Sequence, residues 1–441
     1  MRYQKEDILR LVEEEDVKFI RLQFVDVFGQ MKNIAVTPLQ LERGLNGHVM
    51  IDGSSIDGFT DANKSDLYLH PVLDTFAIYP WRPSRGRVAR LMCEIRTGDG
   101  APFAGDPRAV LQKVCDQAAQ QGYFLNVGPE CEFFLFHTDD RGEPIPVTTD
   151  QAGYFDLSPL DQGENVRREV VLTLEEMGYQ VECSHHETAP GQHEIDFRYA
   201  PAMTAADDIL TFKLAVKTLA QRNGFHATFM PKPITGTAGS GMHLNFSLHD
   251  GAGNNLFGDE TGSLTPVGGS FIAGLMAHIN AITAVTNPLI NSYKRLVPGY
   301  EAPCYNSWSV ANRTTLIRIP DSRSEQLRVE LRSPDCTCNP YLALAVCLAA
   351  GLDGIQRGLT PPPQLTADAF AMSEAERTAQ GANPLPRSLK EALEALRADP
   401  VILGALGEHI STAYLAGKER EWEEYCTQVS EWERQRYMVK Y

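Results

Sequence analysis

The stretch Glu182 to Phe197 sets four carboxylates and three histidines within sixteen residues around a Pro-Gly turn, with no lysine or arginine among them. Carboxylates on neighbouring strands repel unless something neutralises them, so a fold that accepts this stretch must bring cations to it. Pro190 and Gly191 stand in the order a tight reversal prefers. The flanking runs are therefore expected to pair as a hairpin, with Glu187 and Glu194 near its mouth. This reads as part of a metal cage; the alternative is a wet acidic hairpin, and further ligands elsewhere in the chain decide between them.

Three other stretches offer such ligands. In Val127–Phe136 the period of two puts Glu130 and Glu132 on one strand face, about 7 Å apart. In Met242–Leu248 the alternation is strict, with Met242, Leu244, Phe246 and Leu248 on one face and His243, Asn245 and Ser247 on the other. In Arg328–Arg332 the same rule aligns Arg328, Glu330 and Arg332. Taken singly these are acids at a strand start, a hydrogen-bonded core histidine and a cross-strand salt bridge. Together they fit a sheet curved into a partial barrel that gathers Glu130, Glu132, Glu187, Glu194, His243 and Glu330 around one cavity. Oxygen-dominated ligation suits Mg²⁺ or Mn²⁺ rather than structural zinc, and the number of carboxylates suits two or more ions.

Arg295, Arg313, Arg318, Arg328 and Arg332 fall within forty residues of a chain whose net charge is −17. Arginine forks bind phosphate and carboxylate bidentately, and arginines beside divalent metal point to phosphoryl transfer from a nucleotide. No Gly-x-x-x-x-Gly-Lys-Ser/Thr loop exists, so a P-loop is excluded. The acidity, with a pI near 5.1, argues against nucleic acid as a partner. The nine cysteines show no zinc spacing or disulfide pattern, as expected of a reduced, cytoplasmic protein. The first residues lack a signal peptide's apolar core, and no window approaches 18 uninterrupted apolar residues, so no membrane association is expected.

Along the chain, a short amphipathic helix over 5–16 leads into strands: a hairpin of 19–25 with 32–36, then 76–81. The loop Ile51–Gly58 between them reads as a plain Gly/Ser turn. A polar, glycine-rich boundary near 97–102 divides a first domain, 1–102, from a second, 103–441. Asp106-Pro107 starts a helix that Gly122 stops. Strands then alternate with helices at 165–177, 205–223, 268–285 and a buried one at 341–356. From Ser388 the chain is helical and charged, and Trp422, Tyr425, Trp432 and Tyr437 suggest docking on a neighbour.

These motifs in this order resemble type I glutamine synthetase of the shorter, Bacillus-like alpha subdivision. The resemblance is carried by Asp52-Gly53-Ser54-Ser55, Gly128–Phe134, His185-His186-Glu187 with Pro190–Glu194, Gly239–His243, Lys294–Pro303, Asn312-Arg313, Ile317–Pro320 and Arg328–Ser333. It implies an α+β fold, a β-grasp-like N-terminal domain followed by a half-barrel of curved antiparallel sheet flanked by helices. It also implies ligation of ammonia to glutamate with ATP through γ-glutamyl phosphate, in a dodecamer of two hexameric rings with each site shared between subunits. Related enzymes join glutamate to an amine or polyamine instead, and the alternative of another class is a catalytically silent scaffold that holds a regulator through its C-terminal tail. By the resemblance Glu132, Glu187 and Glu194 hold one metal, and Glu130, His243 and Glu330 a second. Gly239, Arg295, Glu301, Arg313 and Arg332 contact glutamate; Glu182, Ser247, Arg313, Arg318 and Arg328 line the nucleotide side. Asp52 and Tyr154 serve ammonium, and Glu301 rides a closing flap. His185, His186 and His193 are expected to support the ligands rather than to ligate. A nitrogen-regulatory protein is a further implied partner. The chain departs from the family at Ala238, where asparagine is usual, and at Asp61, where many alpha-type enzymes carry an arginine used in feedback inhibition.

Overall fold

The computed structural model describes residues 3–82, 85–321 and 326–441. The first hundred residues form a six-stranded mixed sheet. Val17–Val25 pairs antiparallel with Met31–Val36 and parallel with Arg87–Thr97, which continues through Asp66–Pro71 to Val49–Asp52, while Ala77–Ile78 adds at Arg87–Thr97. The amphipathic helix Lys5–Glu14 buries Ile8 and Val12 against it. The helix Pro38–Leu45 interrupts a region that reads as strand by pattern alone; Pro38 sits at its first turn, where a missing N–H costs nothing. The predicted strand 76–81 shrinks to Ala77–Ile78, and the predicted turn at 51–58 is instead a strand end followed by the 3₁₀ turn Gly53–Ser55. Tyr79 and Trp81 leave the strand to stack on each other with ring centroids 4.4 Å apart.

The boundary near 97–102 is a tight hairpin: Thr97 N–H donates to Ala101 O (2.9 Å) and Phe103 N–H to Ile95 O (2.9 Å). Asp106 then caps the helix Pro107–Gln120 by accepting from Arg108 N–H, 3.0 Å. An ion pair lies within the second domain, and a hydrogen bond crosses to it from the first. Arg108 forks onto Asp207 (3.3 and 3.1 Å), and Arg90 of the first sheet reaches Tyr179 Oη at 2.7 Å.

The second sheet has ten strands, and its main path runs Trp308–Val310, Ile317–Ile319, Val329–Leu331, Met242–His249, Phe124–Thr138, Gln192–Phe197, Val181–His186. All of its pairings are antiparallel except the outermost one, where Trp308–Val310 runs parallel to Ile317–Ile319, so the expected antiparallel sheet is mixed at that edge. The predicted alternation along Met242–His249 holds, with Met242, Leu244, Phe246 and Leu248 each at most 1% exposed on the core face. Behind the sheet the helices Ala202–Arg222, Pro266–Thr286 and Pro340–Gln356 form the core. Pro266–Thr286 is long and apolar enough for a membrane span, but it is buried against Pro340–Gln356. Gly274 and Gly354 let the two backbones touch, since a Cβ on Gly274 would meet Ala350 O at 2.1 Å. The tail helices Glu408–Cys426 and Glu431–Tyr437 leave Tyr425, Trp432 and Tyr437 exposed.

Candidate active site

Strand register builds the site. Glu132 of the central strand faces Glu194, which in turn faces His185; one rung over, Glu130 faces His243 on one side and Asp196 on the other. Asn245 and Arg318 both face Glu330. Because side chains alternate along each strand, all these groups project from the same face of the curved sheet. Carboxylate and imidazole atoms of Glu130, His243 and Glu330 lie within 4.8 Å of one another, as do those of Glu132, Glu194 and His243 and those of His185, Glu187 and Glu194. The six predicted ligands therefore converge, with His243 and Glu194 linking the groups.

The hairpin forms as the Pro-Gly turn predicts. Glu187 N–H donates to Gln192 O (2.8 Å), Gln192 N–H donates to Ala189 O (3.0 Å), and Gly191 takes φ +66°. His185 Nε2 bridges Glu187 Oε1 (2.8 Å) and Glu194 Oε2 (3.1 Å). His186 is fully buried behind the turn, between Asp150 Oδ1 (3.0 Å) and the Glu187 carbonyl (2.6 Å). Asp150 Oδ1 also accepts from Gly191 N–H at 2.9 Å, so one carboxylate fixes both sides of the ligand-bearing turn. His193 points away from the metal face, onto Arg167 Nη1 at 2.8 Å. His185 thus touches two of the carboxylates, His186 holds the turn, and His193 packs on Arg167.

The electrostatics fit cations. Burial and the neighbouring Glu187 carboxylate raise the Glu132 carboxyl, and burial with Glu132 and Asp196 raises Glu194 well above its ordinary range. Burial would also raise Glu130, but the hydrogen bonds from His243 and Asn245 outweigh it and hold the carboxyl down to about 2. Buried carboxylates this close are costly without counter-charge. Glu330, 1% exposed, has Arg318 Nη1 at 2.6 Å and Arg332 Nε at 3.6 Å. Its cross-strand salt bridge thus coexists with its place among the ligands. Arg332 Nε and Nη1 and Arg318 Nε are buried without hydrogen-bond partners, donors suited to an anion. Divalent cations and a phosphate or carboxylate ligand together answer both imbalances.

The other predicted residues divide. Tyr154 lies edge-on to His185, ring centroids 5.6 Å apart. Its phenol is pushed up by partial burial and by Glu187, with Glu194 and Glu301 adding and Arg313 opposing, which places Glu301 and Arg313 within electrostatic reach. Phe155, Glu301 and Ala311 all take positive φ (61°, 62° and 58°) in the segments carrying Tyr154, Glu301 and Arg313. Left-handed backbone at non-glycine residues is strained and clusters at functional sites. Gly239 is needed for close approach, since a Cβ there would lie 2.2 Å from Pro231 O. Ala238 packs with Phe134, Phe136 and Ala189. Arg295 is 3% exposed and donates to the carbonyls of Ser333 (2.8 Å) and Arg332 (3.2 Å), bracing the end of the Glu330 strand. Arg328 Nε donates to Asn245 Oδ1 at 3.0 Å, and Ser247 Oγ pairs with His249 Nε2 at 3.1 Å. Glu182 is exposed at the sheet's edge strand. Asp52 stands apart: its carboxylate accepts from Ser54 N–H (2.9 Å), Ser54 Oγ (2.6 Å) and Ser55 Oγ (2.9 Å), and it makes no bond to the six ligands among the described residues.

Sequence reasoning missed Asn245, whose Nδ2 holds Glu130 Oε1 at 2.9 Å, and Gln192, whose Nε2 holds Glu132 Oε2 at 2.8 Å. Asn245 shares the polar face of His243, a signal that was legible. Asp150, distant in sequence, gave none.

Two family models match the chain, "Glutamine synthetase, beta-Grasp domain" over residues 16–98 and "Glutamine synthetase, catalytic domain" over residues 104–437. The chain is similar to a curated glutamine synthetase of Clostridium saccharobutylicum, 55% identical over 442 residues and covering 100% of both chains. It is also similar to one of Staphylococcus aureus (strain Mu50 / ATCC 700699), 52% identical over 441 residues, covering 100% of this chain and 99% of the other. The solved structure described as "GmaS/ADP complex-Conformation 1" superposes with a TM-score of 0.89 at 34% identity, over 98% of this chain and 99% of that one. A cryoEM structure of Plasmodium falciparum glutamine synthetase gives 0.87 at 23% identity, over 99% of each, a likeness of fold alone.

Proposed function

The chain belongs to the glutamine synthetase family, and from that premise we propose how its residues carry out ATP-dependent synthesis of glutamine from glutamate and ammonia. The observation that carries the reading is the convergence of Glu130, Glu132, Glu187, Glu194, His243 and Glu330 on one sheet face beside buried, unpartnered arginine donors.

Glu132, Glu187 and Glu194 would hold one divalent cation, and Glu130, His243 and Glu330 a second, Mg²⁺ or Mn²⁺. Cations bound there would neutralise phosphate oxygens and so favour phosphoryl transfer. Arg318 and Arg328, with Ser247 and Glu182, receive ATP, and Arg313 faces the phosphoryl group in transit. Gly239, Arg295, Arg332 and Glu301 orient glutamate. A γ-carboxylate is a poor electrophile, so its oxygen first takes the γ-phosphoryl group of ATP, giving γ-glutamyl phosphate and ADP. Ammonia, formed when Asp52 takes a proton from ammonium beside Tyr154, then attacks the acyl carbon and expels phosphate. Glu301, on its strained segment, closes over the intermediate and keeps water out.

That Asp52 makes no bond to the ligands among the described residues is understood if a neighbouring subunit supplies it, as in a dodecamer of two hexameric rings. The exposed aromatics of the tail suit an intersubunit contact, or a nitrogen-regulatory protein. The free cysteines suit the reducing cytoplasm.

The test is ATP- and glutamate-dependent phosphate release with ammonium, methylamine, ethanolamine and putrescine in parallel. Ammonium is expected to be the preferred acceptor; activity with an organic amine alone overturns this reading.

A further inference from the structure

The metal face continues one step past the six ligands. Cys183 stands directly opposite Asp196 in the strand register, and Asp196 stands opposite Glu130. Cys183, His185 and Asp196 each bring a ligand atom within 4.8 Å of the others. The Cys183 thiol donates to Asp196 Oδ2 at 2.7 Å, while Asp196 Oδ1 is buried and accepts no hydrogen bond. His185 directs Nε2 at Glu187 and Glu194, so its ring joins the accessory cluster to the oxygen-rich one. Cys183 itself is exposed, so a cation can enter from solvent.

We propose that Cys183, His185 and Asp196 form an accessory site for a thiophilic divalent cation such as Zn²⁺ or Cd²⁺, beside the oxygen-rich sites and chemically distinct from them. Sulfur and imidazole select soft and borderline cations, whereas carboxylates suit Mg²⁺ and Mn²⁺. The two kinds of site therefore select different cations. Binding replaces the S–H bond with a metal–sulfur bond and releases the proton to solvent; no oxidant is needed. With metal–sulfur near 2.3 Å and metal–oxygen near 2.0–2.2 Å in a tetrahedron, sulfur and oxygen stand about 3.5 Å apart. The Cys183–Asp196 pair must then open by about 0.8 Å, within reach of a side-chain rotation on an exposed edge strand. A cation held there lies on the same rung of the sheet as Glu130, across the Asp196 strand.

The experiment is titration of the full-length protein with Cd²⁺ in excess Mg²⁺, following thiolate-to-cadmium absorption in the near ultraviolet. One equivalent per chain is expected in the wild type and in C426S, which removes the other exposed cysteine, and none in C183S. D196N keeps the thiol but loses the charge, and its half-saturation is expected to rise roughly tenfold or more. Absence of the band in the wild type overturns the site, as does its persistence in C183S. Unchanged affinity in D196N reduces it to a bare reactive thiol and overturns it equally.

Discussion

Replacing Glu330 by glutamine keeps the side chain's shape and removes one charge from the second proposed metal site. Glu330 is 1% exposed, ion-paired to Arg318 Nη1 at 2.6 Å, and has Arg332 Nε and His243 Nδ1 each at 3.6 Å. Two effects follow and must be separated. Without metal, Arg318 and the buried Arg332 lose their counter-charge, so the metal-free protein is expected to melt lower; truncating one partner of a buried pair costs about 3–5 kcal/mol, and the half-buried Arg318 puts this case at the low end. With metal, one direct ligand is gone. Outer-shell substitutions already weaken metal binding by about 10–100-fold, so a direct ligand is placed at about 100-fold. At a metal concentration of about 100 Kd the wild type gains about 2.7 kcal/mol from binding, while the variant, then near its own Kd, gains about 0.4 kcal/mol. The metal-linked stabilisation thus falls by about 2.3 kcal/mol. Calorimetric melts of E330Q and wild type, each with and without Mg²⁺, give that difference, and initial rates against Mg²⁺ give the shift in half-saturation. Equal metal-induced stabilisation together with unchanged turnover would refute Glu330 as a ligand.

Two further outcomes follow from the same geometry. Asp150 receives hydrogen bonds from His186, Gly191, Ala152 and Gln162, and despite the opposing effect of burial its carboxyl is held well below its ordinary value near 3.8. A depressed carboxyl stabilises the fold above its unfolded pKa and loses that contribution as pH falls through the folded one, so D150N is expected to be less stable by about 1.5–3 kcal/mol near neutrality, with the gap closing below about pH 4; a gap that does not change with pH in urea unfolding would show that the charge is not what holds the turn. In G239A the new Cβ would lie 2.2 Å from Pro231 O, so the backbone must move and carry Gln192 with it, which donates to Gly239 O at 3.2 Å; kcat/KM for glutamate is expected to fall at least about tenfold for a strain of about 1–3 kcal/mol in stability, and wild-type kcat/KM would remove the need for glycine there.

Much of the site was legible because strands write their faces into the sequence. A period of two placed Glu130 with Glu132 and His243 with Asn245 before any coordinates, and the Pro-Gly turn fixed the hairpin that brings Glu187 and Glu194 together. Helix starts and stops were equally local: Asp106-Pro107 opens one helix, and Gly178 and Gly224, both at positive φ, close two others. The helix Pro38–Leu45 was missed because its pattern is short and its stability comes from packing Leu41 and Leu45 on the sheet rather than from propensity.

The sequence by itself determined which residues could be ligands and on which face of which strand each lies, since that follows from backbone period and turn chemistry. Only the tertiary structure decided the rest: that Glu330 is shared between Arg318 and the ligand cluster, that Asp150 and His186 brace the turn from behind, that His185 ties Glu187 to Glu194, and that Cys183 meets Asp196 at the edge. These depend on the order and curvature of ten strands drawn from the stretch Phe124 to Leu331. Contacts between residues distant along the chain are fixed by the packing of whole elements, and no local period in the sequence carries that information.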